Sequence, residues 1–218
     1  IYCESNTFNT YYYDNDGDGL GGDLADDYLC SDDAEDDWVL NNNDLDDNCY
    51  SNLIDQCGVC DGDDSSCSGC TDQEAFNYGC QGGEIPPCND DITIDDGSCI
   101  YTPENFSYHQ SQMQAFYIIE EASIQYEGIE ELEILKDWVA VYRDGVCVGS
   151  YPWTGYQTTL PAMGNDGSLL TENYLLTGDY PAFYIYDSSE EEYMSASVNI
   201  TGLFGNEYNG WGNFEFFL

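Results

Sequence analysis

Basic residues are almost missing from this chain. Among 218 residues there are two, Lys136 and Arg143, against 44 aspartates and glutamates, and the formal net charge is −42. A chain of that sign repels nucleic acid and anionic lipid, so no nucleic acid is expected as a partner. Histidine is nearly absent as well, with His109 alone, which removes His-based metal clusters and most general acid–base constellations. There is no G-x-S-x-G elbow and no phosphate-cradling glycine loop. Acids abound, yet nothing in the pattern singles out the carboxylate pair of a glycosidase, so no catalytic residue is assigned and no enzyme is expected. No apolar run approaches the roughly 18 residues of a membrane span, and no charged-then-apolar leader occurs. The first residue, Ile1, is what a processed product or an excised segment would show.

What the chain has in excess is aspartate and cysteine, and both are sorted along it. Residues 1–100 hold 22 Asp, 4 Glu, no Lys or Arg and ten of the eleven cysteines, whereas residues 101–218 hold 5 Asp and 13 Glu. Surface solvation alone would not separate Asp from Glu. Short Asp side chains interleaved with Gly and Asn suit tight oxygen cages. Residues 14–19 read D-N-D-G-D-G, with carboxylates at every second position and glycine where a calcium loop turns sharply. Asp14, Asp16 and Asp18 are the expected ligands, and the Leu20 carbonyl is the next in register. Ala25 stands where an EF-hand places its bidentate Glu, so Asp23, Asp26 or Asp27 is expected to complete the shell. Calcium is the expected cofactor, bound outside an EF-hand.

Ten cysteines in an Asp- and Gly-rich stretch without hydrophobic periodicity point to disulfides formed in an oxidising, extracellular compartment. Such a stretch buries too little apolar surface to offset chain entropy, and ions and cross-links must supply the difference. Two C-x-x-C pairs, at residues 57–60 and 67–70, resemble zinc knuckles. The oxygen-rich surroundings and the six further cysteines favour disulfides instead. Acidic clusters recur at residues 41–49, 60–64 and 95–99, each a short loop. They extend the candidate calcium ligands to Asp44, Asp46, Asp61, Asp63, Asp95 and Asp96, and Asp72 in the C-T-D run at 70–72 is a further one. The change of composition after Thr102-Pro103 marks the expected boundary between an Asp/Cys-rich calcium-binding region, 1–102, and a second domain, 103–218.

The first hundred residues resemble thrombospondin type-3-like calcium repeats as they occur in secreted multidomain proteins of marine bacteria. The run from Tyr12 to Gly21, Trp38-Val39, D-D-N-C at 46–49, C-G-V-C-D-G-D at 57–63, C-T-D-x-x-A-x-N-Y at 70–78 and D-D-G-S-C at 95–99 carry the likeness. Phe76 stands where many such repeats have cysteine, and residues 79–90 look like an insertion with its own Cys80 and Cys88. The insertion implies a Cys80–Cys88 bridge, with Cys70–Cys99 closing the outer loop. Local pairing gives Cys3–Cys30, Cys49–Cys57 and Cys60–Cys67, although neighbours between Cys49 and Cys67 could exchange partners. Cys147, in the alternating Val146-Cys147-Val148, is left as a buried free thiol.

Beyond Asn105 the pattern becomes short β-branched and aromatic runs separated by Gly, Asp and Asn. Eight candidate strands, at 106–110, 113–119, 122–126, 137–142, 145–151, 181–187, 193–199 and 213–218, predict an antiparallel β-sandwich. Residues 127–135 are read as a helix or a loop. Lys136 and Arg143 flank one strand and are expected to make local ion pairs. The stretches around 137–149, 165–168 and 178–187 resemble a β-module of repetitive surface proteins from the same bacteria. Asn105-Phe106-Ser107 and Asn199-Ile200-Thr201 match glycosylation acceptors.

Two functions follow. The first is an extracellular structural or adhesive surface protein, assembling with copies of itself into a filament or surface layer through contacts that calcium and the C-terminal strand provide. The second is a carbohydrate-binding accessory module, in which Trp153 and Tyr156, together with Tyr151 and Trp211, stack on surface glycans.

Overall fold

The computed structural model describes residues 3–5, 7–88, 91–125, 128–202 and 207–217. The chain packs as two units, Ile1–Gln73 with Tyr78–Cys99, and Glu74–Asn77 with Ile100–Leu218. The structure is mainly β, with no α-helix among the described residues and only single 3₁₀ turns outside the strands.

In the first unit, Tyr11 is the only buried hydrophobic side chain, among the described residues, that is not a cysteine. The regular structure is correspondingly sparse. β1 (Phe8–Tyr13) pairs antiparallel with β2 (Ala25–Cys30) and with β3 (Trp38–Val39), in the order β2-β1-β3. β4 (Ser68–Gly69) and β5 (Ile94–Asp95) make a two-residue parallel pair. Between these pieces the chain runs in turns closed by aspartate and asparagine side chains.

Disulfides hold this unit together. Cys3–Cys30, Cys70–Cys99 and Cys80–Cys88 form as the sequence implies. The central four cysteines pair differently from the expected Cys49–Cys57 and Cys60–Cys67: the bonds are Cys49–Cys60 and Cys57–Cys67. The reason lies in the turn that carries Cys57 and Cys60. The Asp55 carboxylate accepts the amides of Cys57 and Val59 at 2.9 and 2.8 Å and that of Asp64 at 2.9 Å. Ile54 and Cys60 then pair as an antiparallel bridge. This turn directs Cys60 back to the strand-like chain after Cys49 and Cys57 forward to the 3₁₀ turn Ser65–Cys67. Each such cross-link contributes about 2–4 kcal/mol by restricting the unfolded chain, which matters most where burial contributes so little.

The second unit is a β-sandwich. One sheet runs β10-β9-β12-β13, from β9 (Trp138–Arg143), β10 (Val146–Pro152), β12 (Ala182–Asp187) and β13 (Glu192–Ala196), all antiparallel. The other runs β11-β6-β14, from β6 (Gln114–Ile119), β11 (Thr158–Met163) and β14 (Phe216–Phe217), with β14 parallel to β6. Period-two alternation points Ala115 and Tyr117 of β6, Val139 and Val141 of β9, and Phe183 and Ile185 of β12 into one core with Trp153 and Trp211. Trp211 donates its indole N–H to the Ala162 carbonyl at 3.1 Å.

β9 is also covered on its other face. Trp138 and Ala140 pack with Phe106, Cys147 and the half-buried Phe76 and Ile100. Phe76, the residue in a cysteine's place, meets Trp138 and Tyr151 edge-on at 5.3 and 5.4 Å. Residues 106–110 therefore do not form the expected strand: Glu104–Phe106 is a 3₁₀ turn that sets Phe106 into the sheet. Residues 129–131 form a strand, β8 (Ile129–Glu131), paired with β7 (Ser123–Gln125), rather than a helix. β11 carries Pro161 and escapes a strand pattern, but it is the edge of its sheet, where a missing N–H is tolerated. Lys136 pairs locally with Glu133, whereas Arg143 reaches across to Asp179 at 2.7 Å. Cys147 is a buried free thiol, its pKa pushed up to about 11 by burial.

Digestion of the non-reduced protein with tandem mass spectrometry is expected to recover linked fragments for Cys49–Cys60 and Cys57–Cys67. Alkylation under denaturing, non-reducing conditions is expected to label Cys147 alone. Fragments joining Cys49 to Cys57, or three labelled cysteines, would contradict the connectivity.

Candidate metal centre

Residues 14–24 connect β1 to β2, and the hairpin closes above them through Tyr13 N–H to Leu24 O at 2.8 Å and Gly22 N–H to Tyr13 O at 2.9 Å. Within the loop each aspartate folds back on the chain ahead of it. Asp14 accepts Gly17 N–H at 2.7 Å on one oxygen and Gly19 N–H at 2.9 Å on the other. Asp16 Oδ1 accepts Asp18 N–H at 3.1 Å, and Asp18 Oδ1 accepts Leu20 N–H at 2.6 Å. Gly17 and Gly19 have φ of 83° and 90°, a left-handed backbone open to glycine at little cost. The result is a tight coil in which oxygens of Asp14, Asp16 and Asp18 all lie within 4.8 Å of one another. A cation with oxygen ligands at about 2.3–2.6 Å holds its donors at that mutual spacing.

A second loop joins this one. Asn52, itself at φ 52°, donates its side-chain amide to Asp18 Oδ2 at 2.7 Å and accepts the amides of Leu45 and Asp46 at 3.0 and 3.3 Å. Asn41 donates to Gly19 O at 3.1 Å. Asn15 donates its backbone N–H to Asp47 Oδ1 at 2.9 Å and its side chain to Asp47 O at 2.8 Å. Gly22 lies so close to the Asp47 carboxylate that a Cβ would stand 2.6 Å from its carboxyl carbon. Four side chains thus clamp residues 41–52 onto the loop and bring Asp44 to Asp16, whose charge it feels.

The charge balance of this cluster is one-sided: Asp14, Asp16 and Asp18 converge, Asp44 lies near enough for Asp16 to feel its charge, and the chain's two bases lie in the other unit. Asp16 Oδ2 and Asp44 Oδ2 are closed to solvent and have no hydrogen-bond partner among the described residues. Burial, followed by repulsion from Asp18, Asp44 and Asp14, holds the Asp16 carboxyl above the ordinary aspartate range, against the opposing pull of the Asp18 amide. Orphaned carboxylate oxygens are costly to bury. An oxygen-seeking divalent cation is the group these donors fit: Asp14, Asp16 and Asp18 would hold it, with Asp44 of the second loop close enough to repel the Asp16 charge.

The remaining expected ligands are placed elsewhere. Asp23 is exposed, and Asp46 accepts the Asn48 amides. Asp61 and Asp63 are exposed in the turn after Cys60, where Asp63 accepts Ser65 N–H. Asp95 and Asp96 accept Gly97 and Ser98 amides in a tight turn, and Asp72 is exposed. Among the described residues none of these joins a group of three donors. Two further groupings do form, Asp55 with Cys57 and Asp64, and Cys3 with Cys30 and Asp32, but their cysteines are in disulfides. The Asp55 carboxyl is held below the ordinary range by its bonds to the Val59, Asp64 and Cys57 amides, so it is already satisfied. The zinc-knuckle pattern dissolves for the same reason, because Cys57, Cys60, Cys67 and Cys70 all form disulfides.

Of the aromatics expected to stack on glycans, the two tryptophans are placed inside. Trp153 is 6% and Trp211 1% exposed, both in the sandwich core. Tyr156 is exposed, with its hydroxyl 3.4 Å from Glu120. Sequence reasoning missed Asp47, Asn15, Asn41 and Asn52, because an amide that clamps two loops looks like any other loop asparagine.

The chain matches no protein-family model, no curated protein and no solved structure.

The Asp16 shift sets the sign of a pH effect. An acid whose folded pKa is raised penalises the ion-free fold at neutral pH, and that penalty is relieved as pH falls through the folded pKa. A bound cation reverses the trend, since protons compete for its ligands. Protection of the amides of residues 14–22 and 41–52, taken relative to the intrinsic exchange rate at each pH, is therefore expected to rise on mild acidification without calcium and to fall with calcium. Asp16→Asn and Asp44→Asn are expected to remove the calcium response and to leave residues 114–196 unchanged.

Proposed function

We propose that this is an extracellular structural or adhesive surface protein, its cysteine-rich unit braced by calcium, which assembles with copies of itself into a filament or surface layer. The observation that carries the reading is the group of Asp14, Asp16 and Asp18 carboxylates within 4.8 Å of one another, together with two solvent-closed oxygens, Asp16 Oδ2 and Asp44 Oδ2, that have no partner among the described residues. Oxygen-only donors on flexible loops suit calcium better than the rigid octahedral magnesium, and extracellular calcium modules work at about 10⁻⁴–10⁻³ M. Five disulfides suit an oxidising compartment. The likeness to thrombospondin type-3-like repeats supports the same reading.

Self-assembly is supported by surface chemistry. The first unit exposes Leu45, Leu53, Tyr28 and Leu40 at 82, 69, 68 and 63%, although its apolar content is low. Copies carrying −42 each repel unless cations sit between them, and that repulsion is strongly felt within about 8 Å at physiological salt. The C-terminal β14, expected to take an added strand, is bridged on its outer side to Gly202 through Phe217, which leaves β13, the last strand of the four-stranded sheet, as the backbone edge for such an addition. Head-to-tail contacts of this kind extend into open polymers where the rotation does not close. No described helix is long and apolar enough to cross a membrane.

Light scattering and electron microscopy of the full chain, in millimolar calcium and after chelation, are expected to show assemblies that chelator disperses. Limited proteolysis of the same samples is expected to cut residues 14–52 faster once calcium is withdrawn. A monomer at every concentration in both media would contradict the assembly, and unchanged proteolysis would contradict the calcium brace.

A further inference from the structure

The outer face of the four-stranded sheet is unusual for a surface. Where alternation ordinarily places charged or small polar residues, β9, β12 and β13 present Tyr142, Tyr184, Tyr186 and Tyr193. Tyr186 lies directly across from Tyr193, with rings 4.7 Å apart, and Tyr142 lies 4.7 Å from Tyr184. Phe106 covers part of this face and meets Tyr142, Tyr186 and Tyr193 edge-on. Its segment is pinned by two bonds, from Ser150 Oγ to the Phe106 carbonyl at 2.8 Å and from the Tyr142 hydroxyl to the Asn105 carbonyl. Between this segment and the sheet lies a cleft of about 650 Å³, with Tyr142, Tyr184, Tyr193, Tyr174 and His109 in its wall and Cys147 in its floor.

The lining contains no Asp, Glu, Lys or Arg, in a chain with 44 acids. That excludes ligand classes one by one. A metal ion finds no carboxylate to hold it, and an anion meets no base and a strongly negative molecule. A hydrocarbon would leave the tyrosine hydroxyls, His109, Asn105 and Ser107 facing an apolar surface, at the cost of their hydrogen bonds to water. One of those hydroxyls is already oriented. Tyr174, 3% exposed, accepts the His109 backbone N–H at 2.7 Å, so its own proton points elsewhere and has no acceptor among the described residues. A neutral polyhydroxylated ring satisfies both demands, with a C–H face for the aromatic walls and hydroxyls for the polar groups. The volume falls within the roughly 300–1,000 Å³ of small-ligand sites.

We propose that this cleft binds a neutral saccharide, with Tyr184 and Tyr193 as stacking walls and the Tyr174 hydroxyl as a donor. The site is separate from the acidic centre and does not rest on it: sugar binding is expected to survive chelation, whereas the calcium reading is not. It also differs from a site at Tyr156.

Calorimetric titration of the intact protein with cello-, laminari-, manno-, xylo- and chito-oligosaccharides, and with galacturonate oligomers as a charged comparison, tests the assignment. At least one neutral oligosaccharide is expected to bind saturably, with and without chelator, and to slow alkylation of Cys147. Tyr193→Ala is expected to weaken it about tenfold, the scale of one aromatic contact. Tyr174→Phe, which keeps the ring and removes only the hydroxyl, is expected to weaken it several-fold. Absence of saturable binding by every neutral oligosaccharide would overturn the proposal. Stronger binding of galacturonate, indifference to both substitutions, or loss on Tyr156→Ala instead would overturn it equally.

Discussion

Three carboxylates in one loop, with a fourth from a second loop near enough to repel them and no base among them, are the constraint on which the cysteine-rich unit depends. With Tyr11 as its one buried non-cysteine hydrophobe among the described residues, the unit has no core to fix its loops. The hairpin turn at residues 14–24 and the loop at 41–52 are set against each other by Asn15, Asn41 and Asn52. Disulfides restrict the unfolded chain but leave that mutual repulsion untouched. A divalent cation would turn it into coordination, so the acids that destabilise the bare fold would become its brace.

The sandwich rests on different physics. Its two sheets bury an alternating core that includes Trp153 and Trp211, and β9 is buried on both faces, inward by Val139 and Val141 and outward by Trp138 and Ala140. Burial of several aromatic side chains, each worth about 1.5–3 kcal/mol, needs no ion. The division of labour explains the sorting of residues along the chain. Asp accumulates where oxygen cages are built, and Glu where a hydrophobic core already holds the fold.

Much of this was legible from local pattern. D-N-D-G-D-G encodes its own coil, because each Asp reaches an amide two to five residues on. Strands with clean alternation, such as Gln114–Ile119 and Ala182–Asp187, were equally plain. What failed was non-local. The loop that carries Asp44 is tied to the centre through Asn52, a contact that no spacing reveals. Cys57 and Cys60 are sent opposite ways by the Asp55 turn, which the bare order of cysteines does not encode. Trp153 looks like a loop aromatic beside Pro152 and Gly155, yet tertiary packing draws it inside. Phe106 belongs to a β-rich run, but Pro103 before it and the open face of β9 beside it make it a plug rather than a strand.

The central claim is that one cation joins the two acidic loops. Crystals grown with calcium, then exchanged with a lanthanide and measured at its absorption edge, test it most directly. The account expects an anomalous peak about 2.3–2.6 Å from oxygens of both Asp16 and Asp44, shared with Asp14 and Asp18. A peak bound to only one of the two loops, or none within reach of Asp16 Oδ2 and Asp44 Oδ2, would contradict it.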